Sequence, residues 1–319
     1  MLSRRHLRIK VLQSLYAFIQ SHNDRLDVGE RQMLQSFEKL EEEYIYILSF
    51  LVSVFDFAGR RVEEAKNKFL PTEEDLKPNM RFINNDFIRQ LSTNPDFVRR
   101  EEQLKINWSE ETDMIRKTYQ SIRGSQEYKD YMASAEDSLE KDREFVILLL
   151  RKLIANSETL EYYFEERNIF WAADFDLAVW LAIKTVKTID ESELRSGKLP
   201  AMIKTENMID NEDRKFIVKL YRKTLLKREA AEKLIADRAK NWELDRIAMM
   251  DKLILAMAIT ELIEFPSIPV KVSLNEYIEL AKIFSTGKSR IFINGILDKL
   301  ITDLQDDNTI VKTGRGLMG

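Results

Sequence analysis

The 319-residue sequence contains no cysteine. That absence excludes disulfides and thiolate metal sites, and it suits a reducing compartment such as the cytoplasm, where we expect the protein. Only 9 glycines and 6 prolines are present, too few for the many tight turns of a β-sandwich or barrel. The two histidines, His6 and His22, have no cysteine or further histidine at ligand spacing, so we expect neither a metal site nor another cofactor.

Long hydrophobic runs are also missing. The most apolar stretch, Tyr44 to Ala58, contains Asp56 and is shorter than the roughly 20 residues that span a bilayer. We interpret it as a buried helix. The N-terminus begins with basic residues, but polar residues interrupt the apolar segment that a signal peptide requires. The sequence therefore predicts a cytoplasmic protein without a membrane segment.

Helical periodicity is the main pattern that is present. A first helix is predicted from about Ser3 to Gln20, and a long second helix from about Val28 or Arg31 to Lys68. The stretch from Arg246 to Ile263 is apolar on nearly every side, which is typical of a central buried helix. A last helix is predicted from about Ser289, with a buried face formed by Ile293, Leu297, Leu300 and Leu304. No strand pattern or internal repeat accompanies these segments, so the predicted class is all-α.

Other segments give weaker predictions. Residues 80–140 are charged and weakly periodic, which favours two or three exposed helices with a break at Asn94–Pro95. Residues 190–200 are interpreted as a loop. Ser273 with Glu276 three residues later resembles a capping box, which predicts the start of a helix at that point.

The first helix carries a concentration of positive charge on a chain whose net charge is −4. Arg4, Arg5, Arg8 and Lys10 occur among the first 23 residues without any carboxylate. We expect the guanidinium groups to face solvent and contact RNA phosphates, with Tyr16 as a stacking surface. The alternative is an ordinary solvated helix end with Tyr16 at the edge of the core.

The start of the last helix combines a cation, an aromatic ring and an amide. The triplet Gly287-Lys288-Ser289 resembles the end of a P-loop, but Lys282 stands where that motif needs its first glycine, so we reject a P-loop. Lys288 together with helix N-terminal amides would still suit a phosphate of a nucleic-acid backbone. Phe292 lies on the shoulder of the buried stripe and could stack on a base, with Arg290 and Asn294 beside it. Alternatively, Phe292 packs in the core and Asn294 caps a neighbouring segment.

These residues fall within a set of spaced identities that resembles the NusB family of bacterial transcription antitermination factors, in a long form. At the N-terminus, the family's arginine-rich start and Leu-Tyr pair appear as Arg4-Arg5, Arg8 and Leu15-Tyr16. The family's C-terminal pattern appears as Trp242, Arg246, Asp251, Ile254-Leu255, Glu261-Leu262, Pro269, Asn275-Glu276, Leu280-Ala281-Lys282 and the run Phe292 to Asp298.

The resemblance implies an all-α, NusB-like pair of helical bundles, enlarged by a helical insertion. On this basis residues 1–67 form the N-terminal part with the basic start, 68–204 the insertion and 205–305 the C-terminal bundle. Residues 306–319 are expected to form a flexible tail. The resemblance also implies that Phe292 and Asn294 face the same side as Arg4 and Arg8.

By the same resemblance, the protein is expected to be non-enzymatic and to bind boxA-type single-stranded RNA of rRNA transcripts. Its expected partners are ribosomal protein S-ten (NusE) and, indirectly, other Nus factors and elongating RNA polymerase. One alternative is a helical protein-interaction scaffold that uses the acidic insertion. Another is the RNA-binding module of an rRNA methyltransferase, which would need a Rossmann-type domain and a catalytic cysteine; the chain has no cysteine.

Overall fold

The structure is a computed structural model that describes residues 2–22, 24–200, 212–238 and 247–317, apart from the side chain of Glu74. The regular elements in these ranges are all helices, which confirms the all-α prediction. The chain divides into two compact units: Glu38–Met202, and Leu2–Phe37 together with Ile203–Gly319. We call them the middle unit and the terminal unit. The predicted boundary at residue 204 lies outside the described residues, as do the motif residues Trp242 and Arg246.

The α-helices are numbered in chain order. They are α1 (Arg4–Gln20), α2 (Leu26–Lys66), α3 (Glu73–Leu76), α4 (Asp86–Thr93), α5 (Pro95–Leu104), α6 (Thr112–Gly124), α7 (Gln126–Ala133), α8 (Leu139–Leu149), α9 (Glu158–Arg167), α10 (Phe175–Thr188), α11 (Glu191–Ser196), α12 (Glu212–Leu226), α13 (Arg228–Arg238), α14 (Met249–Glu264), α15 (Val270–Phe284) and α16 (Gly287–Asp306). A π-helical turn, Leu150–Ile154, follows α8, and Ser109–Glu111 and Gly314–Leu317 form 3₁₀ turns. No helix within the described ranges has both the length and the apolar character needed to cross a bilayer.

The terminal unit is built around α14, which is buried from Leu253 to Leu262. Helices α1, α12, α13, α15 and α16 all pack against it. This confirms the predicted central buried helix. Helix α1 begins after Ser3, whose hydroxyl accepts a hydrogen bond from the backbone N–H of His6. Its buried face, formed by Leu7, Val11, Leu12 and Leu15, follows the helical repeat.

The C-terminal segment also belongs to this packing. The ammonium of Lys312 donates to the backbone oxygens of Leu262 and Phe265, at 2.9 and 3.1 Å. The backbone N–H of Thr313 donates to the carbonyl of Pro266 at 3.0 Å. Residues 312–317, which the sequence assigns to a flexible tail, therefore contact the C-terminal end of α14 and satisfy carbonyls that a helix end leaves free.

The middle unit has an aromatic core. Tyr46 lies within 5.2–6.2 Å, between ring centroids, of Trp108, Phe164 and Trp171. Each tryptophan N–H has a partner: that of Trp108 donates to the Ser49 hydroxyl at 2.9 Å, and that of Trp171 donates to the Lys39 carbonyl at 2.7 Å. The polar N–H of each of these two buried indoles therefore has a hydrogen-bond acceptor.

Three local predictions are wrong. Residues 80–140 contain four complete helices, α4 to α7, and these bury Phe87, Phe97 and Ile122 instead of standing exposed. Residues 190–200 contain α11, which Asp190 caps and whose Leu194 is buried. Ser273 does not cap a helix.

The last two helices begin earlier in the chain than predicted. Helix α15 begins at Val270, so Ser273 lies in its first turn, where its hydroxyl donates to Glu261 Oε1 at 2.7 Å. Helix α16 begins at Gly287, two residues before the predicted start, because the Thr286 side chain caps it by accepting from the N–H of Ser289.

Asn94 connects three helices of the middle unit, and the predicted break at this residue is confirmed. Its side-chain oxygen accepts from the first amides of α5, those of Asp96 and Phe97, at 3.0 and 2.9 Å. Its amide group donates to three carbonyls at the end of α11, those of Glu193, Leu194 and Gly197. Asn94 is fully buried, and so is its bond to the Leu194 carbonyl, so water cannot easily replace the bonds that this side chain makes.

Replacing Asn94 with alanine should lower the free energy of unfolding by about 2–4 kcal/mol, since it removes an N-cap and the donor to three carbonyls, of which the bond to Leu194 is buried. Urea denaturation measures this change. The control is Ser138→Ala, which removes the N-cap of α8 at a partly exposed position and should cost about 1 kcal/mol. Equal losses in the two variants would show that the bonds to α11 contribute nothing.

Candidate nucleic-acid interface

Arg8 is buried, so the expectation that it faces solvent is wrong. Its side chain is 2% exposed and forms two parallel hydrogen bonds to the fully buried Glu261 carboxylate, at 2.8 and 2.7 Å. The same carboxylate accepts from the hydroxyls of Ser273 and Tyr277, at 2.7 and 3.0 Å. The net pKa of Arg8 is raised. Burial would lower it, but the hydrogen bonds and the negative charge of Glu261 have the larger combined effect. Arg8 therefore joins α1 to α14 and α15 inside the core.

Lys10 is also buried, with its ammonium 5.9 Å from the ring centroid of Phe37. It cannot contact RNA from that position, because the apolar face of α1 extends into the turn where we expected a solvated cation. Tyr16 is exposed, as a stacking surface requires. It lies eleven residues beyond Arg5 on α1, which corresponds to about 16 Å along the helix axis.

Arg4 and Arg5 are half exposed and point toward different neighbours. Arg4 lies 3.4 Å from the carboxylate of Asp213 and 4.6 Å from the ring centroid of Phe216, both on α12. Arg5 forms two hydrogen bonds to the Glu276 carboxylate on α15, at 3.0 and 2.9 Å, which raise the pKa of Arg5. Both guanidinium groups thus already have carboxylate partners and are held in fixed positions.

Glu279 brings the start of α1 and the start of α16 together. Its carboxylate accepts a hydrogen bond from Lys282 and lies 4.0 Å from the guanidinium of Arg5. The bond from Lys282, followed by the charges of Lys282, Arg5 and Arg290, lowers the pKa of Glu279. Three cations therefore lie around Glu279, and one of them, Arg5, is also bonded to Glu276. We call these five residues the Glu279 cluster, in which three positive charges stand against two negative ones. The excess of positive charge favours an anion at this place.

The first turns of α16 present the remaining predicted residues. Lys288 and Arg290 are exposed, and Phe292 and Asn294 are half-buried. The N-terminal end of this 20-residue helix adds a partial positive charge to that of the two cations. The side-chain amide of Asn294 donates to Asp298 Oδ2 at 3.1 Å, so this asparagine is bound to its own helix and does not cap a neighbour.

The helical register divides these four residues between two flanks of α16. Residues four apart share a face, whereas residues two apart point about 200° away from each other. Lys288 and Phe292 therefore lie on one flank, and Arg290 and Asn294 on the other, toward the Glu279 cluster. The structure does not place Phe292 and Asn294 on one side with Arg4 and Arg8. A bound strand could reach both flanks only by crossing the first turn of α16.

Sequence reasoning missed Glu276, Glu279 and Lys282 as members of this surface. A signal was available, because these residues follow one another at spacings of three on α15 and so share one face. The contact between α1 and α15 could not be predicted, because no local pattern indicates that Arg5 packs against a helix 271 residues further along the chain.

The fold and the site define an all-helical protein that places basic side chains at the starts of two helices of one unit. Residues 178–302 match the NusB family. The chain belongs to the NusB family. It is 41% identical over 140 residues to the transcription antitermination protein NusB of Salinibacter ruber, and this match covers 43% of the chain and 88% of the relative.

Two further relatives with the same name show similar matches. The protein from Chloroherpeton thalassium is 34% identical over 139 residues, which cover 43% of this chain and 66% of the relative. The protein from Alkaliphilus oremlandii is 38% identical over 96 residues, which cover 30% of this chain and 70% of the relative. This chain is longer than its relatives, in agreement with an extra insertion. No solved structure matches the chain.

Proposed function

We propose that this protein is a non-enzymatic transcription antitermination factor that binds boxA-type single-stranded RNA of rRNA transcripts together with ribosomal protein S-ten (NusE). Other Nus factors and elongating RNA polymerase would complete the assembly. The observation that carries the proposal is the Glu279 cluster at the start of α16, in a chain whose relatives are named transcription antitermination proteins.

The proposed contacts follow from exposure and chemistry. Lys288, Arg290 and Arg5 would neutralise phosphates as the strand crosses the first turn of α16. Phe292 would stack on a base on one flank, and Asn294 would bond a base edge on the other. Arg4 and Tyr16 would extend this surface along α1. Arg8 and Lys10 are buried, so they are not among the proposed RNA contacts.

The salt dependence of RNA binding tests the phosphate contacts. Each contact to single-stranded RNA contributes roughly 0.7 to the slope of log affinity against log salt concentration. A variant with Lys288→Ala and Arg290→Ala should therefore lower that slope by about 1.4 and weaken binding at every salt concentration. Fluorescence anisotropy with a boxA-like oligonucleotide measures both quantities.

The matched control replaces Lys233 and Lys299 with alanine, two exposed lysines of the same unit away from the start of α16. It removes the same charge and should leave the slope unchanged, because screening limits surface charge effects to about 8–10 Å. If both double variants lower the slope equally, RNA binds by overall charge and the proposed site is wrong.

A further inference from the structure

The middle unit contains a cavity of about 680 Å³ that the proposed RNA-binding surface does not include. It is lined by the end of α2, the segment around α3, and helices α6 and α7. Its volume lies within the range of about 300–1,000 Å³ that is usual for small-molecule sites. We name it the Arg123 cavity.

The Arg123 cavity has an excess of positive charge. Two of its cations are matched by carboxylates: Arg61 lies 2.9 Å from Glu64, and Lys68 lies 2.9 Å from Asp75. Its other two cations, Lys77 and Arg123, form no ion pair with any side chain that the structure describes. Both are exposed at the cavity wall. Two positive charges are thus available to an anionic group of a ligand.

Aromatic rings also line the Arg123 cavity. Tyr119 and Tyr128 are half-buried and rest on the buried ring of Phe82, with centroid distances of 5.9 and 5.5 Å. The guanidinium of Arg123 lies 6.0 Å from the centroid of Tyr119. Arg123 also forms a hydrogen bond with the Tyr128 hydroxyl. Burial raises the pKa of Tyr128, and Arg123 offsets part of that rise. Aromatic rings and two cations without a carboxylate partner in the described part of the chain therefore line the same open cavity.

This combination suits a ligand with a flat ring at one end and a phosphate at the other. Half-buried aromatic faces stack on bases of any sequence, and guanidinium and ammonium groups bind phosphate oxygens by charge-assisted hydrogen bonds. We propose that the Arg123 cavity binds a nucleotide, with the phosphate at Arg123 and Lys77 and the base against Tyr119 and Tyr128. The nucleotide is either free or part of an RNA strand, and the proposal does not depend on RNA binding at α16.

Isothermal titration calorimetry of the full chain tests this proposal with two probes, adenosine monophosphate and a ten-nucleotide single-stranded RNA. The test variants are Arg123→Gln and Lys77→Gln. Each should weaken binding of the cavity's ligand by about tenfold or more, because a hydrogen bond to a charged group is lost. The matched control is Arg116→Gln, an exposed arginine on the same helix that does not line the cavity.

Each outcome decides the question. Mononucleotide binding that the test variants weaken supports a free nucleotide, whereas oligonucleotide binding alone, weakened in the same way, supports an RNA strand. Ultraviolet cross-linking to Tyr119 or Tyr128 should accompany either result. The proposal is overturned if neither probe binds, or if Arg123→Gln and Arg116→Gln have the same effect. Unchanged thermal unfolding of the variants confirms that the fold is intact.

Discussion

Replacing Arg8 with methionine is expected to lower the free energy of unfolding by about 3–5 kcal/mol. The variant leaves the Glu261 carboxylate, which is fully buried, without its ion-pair partner. The hydroxyls of Ser273 and Tyr277 remain but carry no charge. Such a loss would show that Arg8 is a structural residue and not a ligand contact.

Urea denaturation followed by circular dichroism measures this loss, and amide exchange in α14 assigns it to the terminal unit. The control is Arg5→Met, which breaks a half-exposed pair with Glu276 and should cost at most about 1 kcal/mol. Adding Glu261→Gln to Arg8→Met should restore part of the stability, because the buried charge is removed. If Arg8→Met costs no more than Arg5→Met, the buried pair does not hold α1 in place.

Replacing Phe292 with leucine is expected to weaken binding of boxA-like RNA by about 5- to 150-fold. This range corresponds to the roughly 1–3 kcal/mol that stacking of one base on an aromatic ring contributes. Leucine keeps the side chain apolar on the shoulder of α16 but removes the flat ring. Fluorescence anisotropy provides the affinity, and thermal unfolding provides the stability.

The matched variant is Phe292→Tyr, which keeps an aromatic face and should bind within about twofold of the original protein. This pair of variants separates stacking from packing. A purely structural role for Phe292 would instead give Phe292→Leu a lower unfolding temperature with unchanged RNA affinity. That outcome would remove Phe292 from the proposed site.

Much of the fold was predictable from the sequence, because periodicity depends only on which face of a helix is buried. The all-α class, the central position of α14 and the break at Asn94 all followed from such local patterns. Short helices were less predictable. Helix α11 has six residues, fewer than two turns, so its single buried leucine gave no period.

The candidate site was only partly predictable, because charge patterns do not reveal partners. Arg8 and Arg5 look alike in the sequence, yet one lies in the core and the other at the surface. The difference is set by Glu261 and Glu276, more than 250 residues away along the chain. Family resemblance pointed to Arg8 but could not distinguish a structural arginine from one that contacts RNA.

We propose that the start of α16 belongs to a sequence-selective RNA-binding surface that acts with NusE. The most direct test is a titration of the full chain with a boxA-like RNA and with a scrambled RNA of equal length, each with and without NusE. We expect at least roughly tenfold tighter binding of the boxA-like RNA, since a mismatched base costs about 1–3 kcal/mol. We expect a further gain in affinity when NusE is present. Equal affinity for the two RNAs under both conditions would contradict the proposal.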